Sequence, residues 1–279
     1  MQATSGLYRQ LIASDNHWFE TMVRIAGYSF SESALMSVST ESAMFGGNPE
    51  VGRAIAGETD VCMTKPSVAI PRMAKVEPFV RVCGKTFTAP DIPFENGILD
   101  LENVASLEND IANLGDSAKL VDDVVYFQKK YTDVKSEWLP MGVYYIDTRE
   151  TTKNFDGLDL LILHGYDAML FAEQMYPATE HDWPMSDVQV VAEIASTMGV
   201  EVDPRTWDVM TSGYEISLPA SYTMREALGY IAAMYVGSFI MTETGKLRLV
   251  TMLELPAETS YLIDAGGFAI TFGGDRILV

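Results

Sequence analysis

Three histidines, His17, His164 and His181, are the first residues to test for chemistry. A zinc centre needs His or Cys ligands at short, regular spacing, and none of the three stands that close to another His or Cys. His164 closes an apolar run and reads as a structural histidine, while His181, between Glu180 and Asp182, reads as a solvated loop residue. Asp122-Asp123 and the pair Asp156/Asp159 are the raw material of glycosidase acid–base work. In a chain with 39 Asp and Glu such pairs arise from composition alone, so they read as surface charge. Gly46-Gly47, Gly266-Gly267 and Gly273-Gly274 lack the Lys-Ser/Thr or strand-to-helix context of a phosphate loop. Ser37, Ser39 and Ser42 lie in a strand pattern without a Gly-x-Ser-x-Gly elbow, and no Asp-rich loop has EF-hand spacing. The sequence therefore assigns no catalytic, cofactor-binding or metal-binding residue, no cofactor and no enzymatic activity. An alternative function keeps a sugar in view: a monomeric carbohydrate-binding or glycan-hydrolysing β-protein, with the acidic pairs for chemistry and Trp138, Trp183 or Trp207 as a stacking platform.

Composition narrows the classes further. The chain has 279 residues, 48% of them hydrophobic, enough to bury one large core or two smaller ones. Its net charge is −20 and its pI about 4.4. Such a surface repels phosphate backbones, so specific nucleic-acid binding is not expected. Cys62 and Cys83 are too few for a disulfide framework and read as apolar strand residues, although spacing alone leaves a bridge between them open. Residues 1–14 have one Arg and no apolar core, unlike a signal peptide. No stretch has the apolar length of a membrane span. A soluble protein made in a reducing cytoplasm is expected. The sixteen methionines include Met198, Met224, Met234 and Met241 at core-like spacing, which favours packing over an adaptable binding surface.

The elements follow from periodicity. Residues 5–13 predict a short helix with Leu7, Leu11 and Ile12 on one face. Residues 18–25 and 28–30 predict a hairpin turning at Ala26-Gly27, and residues 35–42, 58–64 and 76–82 alternate like further strands. Trp138 to Asp147, an acidic Thr-rich turn over 148–154, and Leu158 to Gly165 predict a second hairpin leading into a short helix near Asp167. Between these β-segments, Val104, Leu107, Ile111 and Leu114, then Leu120, Val124 and Phe127, fall at helical spacing, so residues about 99–136 read as a helical or loop insertion. After Tyr176-Pro177 the pattern changes. Residues 186–198 predict an amphipathic helix capped by Ser186 and Gly199. A short strand over 216–218 follows. Residues 223–236 predict a second helix, with Thr223 and Glu226 as a capping box and Gly237 as its stop. A hairpin over 239–250 turns at Glu243-Thr244-Gly245. The Gly-rich segment 254–279 predicts a C-terminal β extension seeking a sheet edge. The fold class is α+β, mainly antiparallel β, with domains at 1–176, 177–253 and 254–279.

Four of these stretches, in order, resemble phage and prophage tail-tip (baseplate) hub proteins of long-tailed bacteriophages. They are Ile70-Pro-Arg-Met-Ala-Lys-Val-Glu-Pro-Phe-Val-Arg-Val82, Trp138-Leu-Pro-Met-Gly-Val-Tyr-Tyr-Ile-Asp147, Leu160 to Leu170 with Tyr166-Asp-Ala-Met169, and Thr223 to Ala232 followed by Gly245-Lys-Leu-Arg-Leu249. Each motif is short; their order over residues 15–279 carries the likeness. The resemblance implies a tail-tube-like β-barrel domain over 1–176 and a small helix-hairpin α+β domain over 177–253. It implies a structural virion protein: a homotrimer that caps the tail tube, adapts its symmetry and gates DNA passage. Its expected partners are itself, a distal tail ring or tail-tube protein, a tape-measure protein, and receptor-binding or fibre proteins. Its expected place is the virion tail, after assembly in the bacterial host cytoplasm. Many such proteins carry a lytic or fibre-like C-terminal extension. This sequence ends at Val279, so those functions are expected of another protein. An acidic channel lining would let DNA pass by repulsion.

Overall fold

The computed structural model describes residues 4–31, 33–41, 51–88, 130–177 and 182–252, with short strands between 94 and 127 and at 271–272 and 275–276. Along the chain come helix α1 (Gly6–Ile12) and strands β1 (His17–Ile25), β2 (Tyr28–Ser31), β3 (Leu35–Glu41), β4 (Arg53–Ala54), β5 (Glu58–Thr64) and β6 (Lys75–Thr88). Short strands follow: β7 (Phe94–Glu95), β8 (Ile98–Leu99), β9 (Ser106–Glu108), β10 (Ile111–Asn113), β11 (Ala118–Val121), β12 (Val124–Phe127), β13 (Lys130–Lys135) and β14 (Leu139–Pro140). Then come the long pair β15 (Tyr144–Lys153) and β16 (Asp159–Asp167), and a 3-10 helix, Ala168–Glu173. Strand β17 (Met185–Ser186) leads into α2 (Asp187–Met198), α3 (Arg205–Val209), β18 (Glu215–Ile216), α4 (Met224–Met234), β19 (Gly237–Met241) and β20 (Leu247–Thr251). The described C-terminal strands are β21 (Thr271–Phe272) and β22 (Asp275–Arg276). The architecture is α+β, with mainly antiparallel strands.

The chain divides into two units. The first gathers Met1–Val23, Ser29–Ser33 and Pro78–Met141; the second gathers Arg24–Tyr28, Ala34–Glu77 and Gly142–Val279.

In the first unit, β6 pairs antiparallel with β13 (Val134 opposite Gly84) and with β14 (Leu139 opposite Val80). Helix α1 starts at Ser5, whose hydroxyl accepts the Tyr8 N–H at 3.0 Å. Of its expected apolar face only Leu11 is buried; Leu7 and Ile12 stay exposed. Leu11 lies over Gly84, where a Cβ would sit 2.8 Å from the Leu11 Cδ2, so a larger residue on the strand would push the leucine tip aside.

The helical reading of 99–136 is corrected here. Strands β9, β10, β11 and β12 form an antiparallel sheet of their own, with Ile111 opposite both Glu108 and Val121. Apolar residues three or four apart in a short window fit either period, and the run Val124-Val125-Tyr126-Phe127 is β-branched and aromatic, which favours strand.

In the second unit an open antiparallel sheet runs from the start of β6 through β15, β16 and β5 to β3. The β15–β16 hairpin is longer than expected. Residues 148–153, expected as a turn, continue β15, with Lys153 opposite Asp159. Their threonines suit an extended backbone, and the turn falls at Asn154–Gly157, where Gly157 has φ 79°. The other end starts late. Gly142, at φ 141°, interrupts the stretch expected as one strand from Trp138 to Asp147. Strand β5 buries Thr59, Val61 and Met63, and turns Glu58 and Asp60 outward, the alternation of a half-covered sheet.

The helical part of this unit is built on one apolar cluster. Val190, Val191 and Ile194 of α2, Leu228 and Ile231 of α4, Met169 of the 3-10 helix, and Phe239, Leu247 and Leu249 of the β19–β20 hairpin are all essentially inaccessible to solvent. The helix ends follow the sequence. Ser186 and Gln189 form a capping box, and Gly199 closes α2 at φ 72°. Thr223 and Glu226 form the second box. Helix α4 stops at Met234, before Gly237, and the left-handed residue is Val236. Gly237 instead opens β19, where a Cβ would come 2.5 Å from the Val250 carbonyl oxygen. The methionines at 198, 224 and 241 are buried, but Met234 is exposed.

Candidate functional site

Among the described residues weighed for chemistry, His164, His17 and Asp159 each have a local partner. His164 donates from Nδ1–H to the Asp60 carboxylate across the β5–β16 pair at 2.8 Å, a satisfied surface histidine. His17 Nδ1 contacts the Ser14 carbonyl at 2.6 Å. Asp159 faces Lys153 at 3.8 Å near the hairpin tip. His181, Asp122 and Asp123 lie outside the described residues, as do Ser42, Gly46-Gly47 and Gly266-Gly267. Among the described residues no group of three His, Cys, Asp or Glu side chains could hold a metal, and no helix is long and apolar enough to cross a membrane. Cys62 and Cys83 are both free. The tryptophans weighed as a platform are each engaged locally. Trp183 and Trp207 pack against the apolar cluster, and the Arg81 guanidinium covers the Trp138 ring at 4.2 Å.

What the sequence did not single out is a groove of about 970 Å³ in the second unit. One wall is the segment from Gly52 to Glu58, and the other is the exposed side of α4 with Arg225, Glu226 and Tyr230; Tyr166, Leu170 and Glu173 close the end. The Gly52 backbone passes so close to α4 that a Cβ on Gly229 would lie 2.8 Å from the Gly52 carbonyl oxygen. Strand β4 is held there by parallel pairing to β19, with Arg53 opposite Ser238.

The polar walls are fixed in place. Arg225 donates from Nε to the Ala54 carbonyl at 2.7 Å and pairs with Glu173. The Glu226 carboxylate accepts from the Thr223 N–H at 2.8 Å. The Tyr230 ring meets Tyr222 edge-on at 5.1 Å, and the Tyr166 ring meets His164 edge-on at 4.9 Å.

Beside the groove, at the end of β16, stands the buried carboxylate of Asp167. It accepts the Gly57 N–H at 2.6 Å and the Met169 N–H at 2.9 Å, capping the 3-10 helix. Burial pushes its pKa up to about 6, and the two N–H donors and the more distant Arg225 charge offset only part of that rise. The neighbouring Tyr144 phenol is pushed up to about 12 by burial and by the Asp167 charge. The sequence placed the start of a short helix near this residue but gave no sign of a buried acid, because Gly57 is 110 residues away in sequence.

No protein-family model and no curated protein matches the chain. Among solved structures, a 43 kDa tail protein of prophage MuSo2 from Shewanella oneidensis is similar over 88% of this chain and 59% of its own, at 12% identity and a TM-score of 0.49. A tail protein from Neisseria meningitidis MC58 is similar over 90% of this chain and 53% of its own, at 11% identity and a TM-score of 0.43. The chain thus spans between half and two thirds of the length of each.

Proposed function

We propose that this chain is a structural, non-enzymatic component of a bacteriophage or prophage tail, the hub at the tail tip. The observation that carries this reading is the ordered set of four hub-like motifs, each of which folds into a defined element at its place in the chain. The first runs into β6, and the second spans β14 and the start of β15. The third is β16 with its step into the 3-10 helix, and the fourth is capped α4 with the β19–β20 hairpin. In this reading residues 1–176 form the tube-like barrel domain and 177–253 the smaller domain. Three copies cap the tube, adapt its symmetry and gate DNA passage. The neighbours are a distal ring or tube protein, the tape-measure protein and fibre proteins, and the protein resides in the virion tail after assembly in the host cytoplasm. Open sheet edges such as β3 are the surfaces that would pair between copies.

Light scattering after gel filtration tests this. A species near three times the 30.8 kDa chain mass is expected, alone or on addition of the adjoining tail-tube protein. A monomer in both conditions, with no complex formed, rules the trimeric hub out.

A further inference from the structure

The groove along α4 has the size, the rigidity and the chemistry of a ligand site. Small-molecule sites occupy roughly 300–1,000 Å³, and this one, at about 970 Å³, has room for several linked sugar rings. Its walls are set before any ligand arrives. Arg225 is tied down by two partners and Glu226 by its helix cap, and each tyrosine ring is buttressed edge-on by a second ring. Fixed side chains lose little freedom on binding, which favours affinity for a weakly held ligand.

Charge selects among ligand classes. Two arginines and three glutamates line the groove, in a chain of net charge −20, so phosphates and nucleotides are repelled. The arginine with the best-defined position, Arg225, is already matched by Glu173. An extended peptide added to β4 is disfavoured as well, because the Ala54 carbonyl on that strand already accepts the Arg225 guanidinium. The mixed lining of carboxylates, guanidinium groups and tyrosine rings suits a ligand that is neutral, rich in hydroxyls and apolar on its ring faces. Carboxylates accept from sugar hydroxyls, guanidinium groups donate to them, and tyrosine rings pack against the C–H faces of pyranoses.

We propose that the groove between the 52–58 segment and α4 binds a neutral oligosaccharide, with Tyr166 and Tyr230 against its ring faces and Glu58, Arg53 and Glu173 bonding its hydroxyls. The site is independent of the tail-hub reading; it requires neither a trimer nor a partner.

The test uses the full chain and two probes, a β-1,4-linked N-acetylglucosamine tetramer and maltotetraose, followed by saturation-transfer NMR and calorimetry. Saturable binding of at least one is expected. Tyr230→Ala should weaken it roughly tenfold, and Tyr230→Phe, which keeps the ring, should retain most of it. Tyr230 is 59% exposed, so Tyr230→Ala should unfold at the wild-type temperature. Glu58→Ala, on the opposite wall, gives a second reading that does not alter α4, and it too should weaken binding. The proposal is overturned if neither tetrasaccharide binds up to about 10 mM, if both alanine variants bind like wild type, or if inorganic phosphate displaces the sugar.

Discussion

Two carboxylates, one in each unit, are held by opposite means. Glu20 on β1 accepts from Arg81 Nε at 2.9 Å and from Lys135 Nζ at 2.7 Å, two cations brought to it by β6 and β13. Those partners, Lys135 first, pull its pKa down to about 2 against a smaller opposing effect of burial. Asp167 accepts from two backbone N–H groups, those of Gly57 and Met169, and burial carries it up to about 6. Dipoles satisfy a buried carboxylate but do not replace a counter-charge, so hydrogen bonding alone leaves it a weak acid. The consequence is an opposite response to pH. Glu20 stabilises the fold above its unfolded pKa, and that contribution is lost as pH falls toward 2. Asp167, whose folded pKa is the higher one, contributes fully below its unfolded pKa, and that contribution is lost as pH rises through about 6.

The largest effect should belong to neither. Phe239 is fully buried between the helices and the hairpin, and Phe239→Ala should cost about 3–5 kcal/mol by urea unfolding. The loss should be the same at every pH, because no titrating group is removed. A pH-dependent loss would mean that the core and the carboxylates are coupled, and the contrast between the two acids would then not be separable from packing.

Asp167→Asn isolates the second carboxylate. Wild type should lose about 2–3 kcal/mol relative to the variant as pH rises from ~4 to ~6.5. Asn offers one acceptor where Asp offers two, so the variant loses either the Gly57 or the Met169 bond at all pH values and shifts the whole curve without tilting it. The difference between the two unfolding curves across pH is the quantity to read; curves that stay parallel would show that Asp167 is not the buried acid described here. Asp203, drawn down to about 2 by Arg205, titrates below this window and is common to both proteins.

Glu20→Gln should cost less, about 1–2 kcal/mol at neutral pH, since the Glu20 side chain keeps 18% of its surface exposed. The cost should shrink as pH falls toward ~3 and as salt rises to ~1 M, where screening acts within a few ångströms. If salt leaves the cost unchanged, the cluster works by packing, through the planar Arg81 guanidinium stacked over Trp138, and not by its ion pairs.

These contrasts also mark what the sequence could convey. Local rules served well: the Ser186 cap, the Thr223/Glu226 box, the glycine cap at 199, the Ala26-Gly27 turn and the start of a short helix near Asp167 were all legible, because each depends on residues within one turn of chain. Short windows misled where two periods coincide, as in residues 104–127, and Gly237 was taken for a helix stop when its role is to admit the Val250 carbonyl. The groove was invisible because its walls come from residues 52–58, 166–173 and 223–230, far apart in the chain, and the close approach of Gly52 to Gly229 joins two of them. The ionic cluster was hidden in the same way, with Arg81 lying 61 and Lys135 115 residues from Glu20.

The smallest effect should come from a third arrangement of a carboxylate. Glu226 also accepts from neutral donors, the Thr223 N–H and hydroxyl, but it does so at an exposed helix start. Water already solvates it, so no burial penalty stands against the bonds, and they are worth only what a cap is worth. Thr223→Ala removes the reciprocal bond to the Glu226 N–H at 3.1 Å and should cost about 1 kcal/mol. Thr223→Ser keeps the hydroxyl and should cost only a few tenths. Thermal unfolding of the two variants side by side separates the hydroxyl from the methyl. If Thr223→Ala cost as much as Phe239→Ala, the start of α4 would be tied into the apolar cluster and not merely capped, and donor type and burial would no longer suffice to rank the three carboxylates.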